Sequence, residues 1–106
     1  MELDSVGPVI AERELTIRDS GRVVRIEIGA PAKFLDGNDY YCPYRIIGLG
    51  DGPVRYAGGI DSIQALLLAL RLVAATLLAS EEAKSGTLMW EGDEQGGLGF
   101  PSVPGQ

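Results

Sequence analysis

The chain has 106 residues, 45% hydrophobic and 23% charged, with a formal net charge of −6, one cysteine and no histidine. Length and composition fit one folded domain with one core, and the acidic balance disfavours a nucleic acid or a membrane surface as partner. A lone cysteine rules out an intrachain disulfide and suits a reducing, cytoplasmic setting.

Residues 1–8 end in Gly7-Pro8 and read as a flexible lead. No basic stretch followed by an apolar run marks a signal peptide there. "VIAERELTIRD" then alternates, with Ala11, Arg13, Leu15 and Ile17 on one side. "RVVRIEIG" alternates more cleanly, with Val24, Ile26 and Ile28 facing one way. Asp19-Ser20-Gly21 between them supplies a turn, so the two runs predict a β-hairpin. "APAKFLDGND" reads as a connection and "YYCPYRIIG" as a third strand, with Cys42, Tyr44 and Ile46 inward and Tyr41, Arg45 and Ile47 outward. Pro43 cannot donate to a ladder, which predicts an edge or a bulge at that position. "LGDGP" is a turn and "VRYAGG" a shorter fourth strand.

A helix is expected from Asp61, which can cap its first turn, with Gln64 three residues later able to reach back. It should end near Ala83 to Ser85, with Gly86 as a left-handed terminator. "TLMWE" predicts a last strand, and the Gly- and Pro-rich remainder an irregular or disordered tail. The organisation expected is a lead at 1–8, one domain at 9–95 and a tail at 96–106. The fold class is α+β: two layers, a mostly antiparallel sheet of four to five strands in the order ββββαβ, and one long helix on one face.

At 100° per residue, Ile63, Leu66, Leu67, Leu70, Val73, Ala74, Leu77 and Leu78 share one broad face, assigned to the sheet. The other side is also apolar, with only Gln64 and Arg71 as a polar seam, and a helix apolar all round is normally covered all round. A bilayer is a poor cover: a span takes about 20 apolar residues, and Arg71 at its centre would cost about 2.5–3.5 kcal/mol. The tail could fold back, placing Leu98, Phe100, Pro101 and Val103 over Leu68 and Leu72. The preferred cover is a second copy of the chain, meeting a face made of Ala65, Leu68, Ala69, Leu72, Ala75 and Thr76. A two-fold pairing of this kind is the commonest soluble oligomer, and another protein is the alternative partner.

The chemical inventory is thin. Without histidine the commonest general base and metal ligand are missing, so no catalytic residue, metal or cofactor is assigned. Cys42 reads as a buried core thiol. "GLGDGP" lacks the Lys-Ser/Thr and following helix of a phosphate loop, and "DGND" lacks the ligand ladder of a calcium loop. One constellation remains: Arg45, Arg55 and Tyr56 on strands with Asp61 and Gln64 at the helix start, a place for an anion or metabolite near the helix N-terminus.

"CPYRIIGLG", "RYAGGIDSIQALLLAL" and "GTLMWEGDEQGGLGFP" together resemble a family of small bacterial proteins of unknown function of about this length. The pattern is a Cys-Pro-Tyr-Arg-Ile strand, a Gly-x-Asp-Ser-x-Gln-Ala-Leu helix start and a Gly-Phe-Pro near the end. The resemblance implies a bacterial cytosolic protein and an ordered Leu98–Pro101 segment, and supplies no activity. The functional expectation is a non-catalytic interaction module, homodimeric through the outer helix face, of accessory or immunity type. A small-ligand binder is the alternative, and an enzyme the third reading.

Overall fold

Alternation builds the first hairpin. In the computed structural model, which describes residues 1–91 and 97–101, β1 (Val9–Ile17) and β2 (Val23–Gly29) pair antiparallel. Leu15, Ile17, Val24, Ile26 and Ile28 are all buried on one face. Asp19 and Gly21 take the positive φ angles of 78° and 73° that close the loop, and the Ile17 N–H donates to the Arg22 carbonyl at 2.8 Å.

The connection that follows is more ordered than its composition suggests. It carries β3 (Ala32–Lys33), which pairs with Tyr41 and Tyr40 of β4 (Tyr40–Ile47). β5 (Arg55–Gly59) lies on the other edge of β4. The sheet therefore runs β5, β4, β2, β1, β6, every pairing antiparallel, with β3 extending the β2 side. Cys42, Tyr44 and Ile46 face the core as expected. Pro43 sits in an interior strand, not on an edge. Its missing N–H is accommodated at an irregularity, because the β4 register slips by one residue between the Ile28–Tyr44 and Ala32–Tyr41 pairs.

The long helix α1 (Ser62–Leu78) lies over β4 and β5. Its start follows the sequence reading closely. Asp61 accepts from the Gln64 N–H at 2.7 Å, and Gln64 Oε1 reaches back to the Ile60 N–H at 2.8 Å, one residue earlier than in a standard capping box. Its end does not. The helix stops at Leu78, Ser80 caps a separate turn α2 (Glu81–Lys84), and Gly86 (φ 76°) terminates that second element. β6 (Leu88–Met89) is shorter than the expected 87–91 strand and pairs with Ile17 and Thr16.

The face that α1 turns to the sheet also differs from the expectation. The buried positions are Ala65, Ala69, Val73 and Leu77, about a quarter turn from the face assigned by side-chain size. The cause is close approach. The β5-to-α1 link is short, and a Cβ placed on Gly59 would lie 2.5 Å from the Ala65 nitrogen. Only small side chains fit under the helix there. Leu66, Leu68 and Leu70 fill the flanks and are partly buried against the core.

Both ends of the described chain pack on this frame. The expected flexible lead is anchored at Val6, which is buried, and Pro8 accepts from the Ala30 N–H at 3.0 Å. Gly29 is obligatory beneath it, because a Cβ would collide with the Val6 carbonyl and with Pro43. In the expected tail, Leu98 joins the core cluster and Phe100 packs against it. The expected domain boundary at 95/96 and Val103 lie outside the described residues. No helix among the described residues is long and apolar enough to cross a membrane.

Candidate interaction surface

Turning Ala65 and Ala69 inward changes which side chains α1 presents. Both are fully buried and cannot belong to an outer face, which corrects two of the six expected contact residues. Leu72, Ala75 and Thr76 are exposed and Leu68 is half-buried. The Thr76 hydroxyl donates to the Leu72 carbonyl at 2.8 Å. Three leucines and isoleucines assigned to the sheet lie outside instead: Ile63 is 68% exposed, Leu67 44% and Leu78 58%, beside Leu72 at 43%. Leu67 and Leu78 stand within about 40° of Arg71 around the helix. What sets them outside is the Gly59–Ala65 approach, a tertiary distance, and not the size of the apolar residues.

Arg71 is the polar centre of this face. Its Nε is buried and has no hydrogen-bond partner among the described residues. Ala74, Leu78, Leu98 and Phe100 line one groove, and Leu70, Phe100 and Pro101 line the next. Residues 97–101 thus run along one flank of α1 and leave Leu68 and Leu72 uncovered on the other.

The five expected ligand residues are not brought together. Asp61 and Gln64 are occupied by capping. Tyr56 packs on the outer face of the sheet, its ring 5.9 Å from Phe34 and 6.0 Å from Tyr41. Arg45 Nε donates to the Gly52 carbonyl at 2.7 Å. Arg55 borders a cavity shared with Thr76, roughly 20 Å along the helix axis from Asp61. A site at the helix N-terminus is therefore not assembled from these residues.

A family model, "Domain of unknown function (DUF6968)", matches residues 11–102. The chain belongs to this family. No curated protein and no solved structure matches it. The matched span of the DUF6968 domain takes in the sheet beyond the first residues of β1, the whole of α1 and the segment through Pro101. Within it, Cys42 is fully buried, and burial pushes its thiol up to about 11. A thiol held neutral is a poor nucleophile at neutral pH. Among the described residues of the DUF6968 domain, no three acidic, cysteine or histidine side chains cluster in a way that could hold a metal ion. Its most distinctive exposed feature is the apolar face of α1.

Proposed function

We propose that this domain is a non-catalytic protein-contact module that pairs with a second copy of itself through the outer face of α1. The observation that carries the reading is Ile63, Leu67, Leu72 and Leu78 standing exposed around Arg71. Fully burying a side chain of this size is worth about 1.5–3 kcal/mol, and the described chain leaves that gain unused. Ala75 and Ala79, both exposed, allow a second helix to come close. The acidic charge and the single buried thiol support an accessory or immunity-type role in a bacterial cytoplasm.

Light scattering on the purified protein tests this directly. The intact chain should have twice the monomer mass. Leu67→Glu should have the monomer mass, and Leu35→Glu, the same change on an exposed loop, should remain a dimer. A monomeric intact protein at high concentration removes the reading.

A further inference from the structure

We propose that the cavity between the β4–β5 turn and the C-terminal half of α1 binds a small zwitterion, a free amino acid with a short aliphatic side chain. This site borders the outer helix face at Thr76 and does not depend on the pairing proposed there. The cavity is about 160 Å³ and is lined by Tyr44, Ile46, Leu49, Arg55, Thr76 and the turn at 50–53. Pockets for drug-sized ligands run to about 300–1,000 Å³, so a space of this size limits the occupant to a small metabolite.

The lining supplies both charges and an apolar floor. Arg55 stands opposite Tyr44 in the β4–β5 register. The ion pairs formed among the described residues are Arg22 with Glu82 and Arg25 with Glu14, so Arg55 has no carboxylate there. Tyr44 is buried, yet its hydroxyl makes no hydrogen bond among the described residues and is not sealed from solvent. Burial raises the Tyr44 pKa and the nearby Arg55 charge works against that rise, which places the guanidinium within electrostatic reach of the phenol. A guanidinium and a phenol converging on one small space are the donors a carboxylate takes. Asp51, on the rim, offers the opposite charge for an ammonium group. Ile46 and Leu49 leave an aliphatic surface between them.

The turn is built to hold this shape. Gly48, Gly50 and Gly52 take positive φ angles of 106°, 63° and 64°. The amides of Leu49, Gly50 and Asp51 donate to no backbone carbonyl among the described residues. Successive free amides in such a turn favour an anionic group. Arg45 fixes the turn from the outer side through the Gly52 carbonyl. The two arginines singled out in the sequence thus serve one turn from its two faces.

Titration of the isotope-labelled full chain with L-valine, followed by amide NMR, tests the assignment. Saturable shifts are expected at Gly50, Asp51 and Gly52 at millimolar ligand, while isobutyrate and isobutylamine, each with one charge, bind more weakly. Arg55→Ala should weaken L-valine binding at least about tenfold, and Tyr44→Phe, which keeps the ring packing, should weaken it several-fold. The proposal is overturned if no small aliphatic amino acid gives saturable shifts at the turn. It is also overturned if a folded Arg55→Ala binds as tightly as the parent, or if isobutyrate binds as tightly as L-valine.

Discussion

Cys42 illustrates how one buried atom sets a measurable pH response. Its thiol points into the core and makes only weak contacts, to the Gly29 carbonyl at 3.5 Å and the Pro43 carbonyl at 3.9 Å. Burial lifts its pKa from 9.0 to about 11. The folded pKa therefore lies above that of the unfolded chain. The contribution to stability is complete below pH 9 and is lost as the pH rises through 11, because the unfolded chain releases the proton first. Urea titrations across that window should show the stability difference between the parent and Cys42→Ala shrinking by about 2–3 kcal/mol. Burial raises Tyr44 in the same direction, with Arg55 opposing, and that alkaline loss is common to both proteins. A thiol reagent at neutral pH should label Cys42 only as fast as the molecule opens.

The first half of α1 rests on small residues, Ala65 and Ala69. Ala69→Leu pushes a large side chain into the closed space above the sheet and should cost about 1–3 kcal/mol in chemical unfolding. Ala75→Leu, on the exposed side, should stay within about 0.5 kcal/mol for the monomer. Equal effects would mean that the helix is not seated on Ala69. The same pair of residues shows what could be read beforehand. Strands β1, β2 and β4 were legible because Leu15, Val24 and Ile46 alternate with charged neighbours. The helix start was legible because Asp61 and Gln64 have a local bonding partner in each other's turn. The inward face of α1 was not, because a helix apolar all round gives periodicity no contrast. What decides its rotation is a clearance between Gly59 and Ala65, a tertiary distance with no signature in hydropathy. The candidate cavity was not legible for a similar reason. Arg45 and Arg55 were expected with Tyr56, Asp61 and Gln64 near the helix N-terminus, whereas both meet the β4–β5 turn, which is defined by a register that sequence alone does not supply.

The segment at 97–101 acts as a clasp over the β1 side of the sheet. The Arg13 guanidinium lies 4.1 Å from the Trp90 ring and 4.8 Å from the Phe100 ring, and Arg13 Nη1 donates to the Leu98 carbonyl at 2.9 Å. Gly99 makes the closure possible. It takes φ 78°, and a Cβ there would sit 2.5 Å from Arg13 Nη1 and 2.6 Å from the Trp90 ring. Gly99→Ala should therefore release the clasp and lower stability by about 1–3 kcal/mol. Trp90 is the one tryptophan of the chain, so its fluorescence reports the event as a shift to longer wavelength. An unshifted spectrum with unchanged stability would show that the clasp does not depend on Gly99.

The pairing of β1 with β6 has a consequence for how the protein is made. Ile17 finds Leu88 as its neighbour, and the core does not close until Leu98 arrives. During synthesis the N-terminal hairpin emerges early, with the outer edge of β1 still lacking the partner that Leu88 provides. The contacts that complete the sheet span most of the sequence, and such contacts form slowly. A ribosome carrying this nascent chain thus holds that stretch of sheet edge open until the segment through Leu98 is translated, and the hours-old protein and the newborn one expose different surfaces to the cell's chaperones.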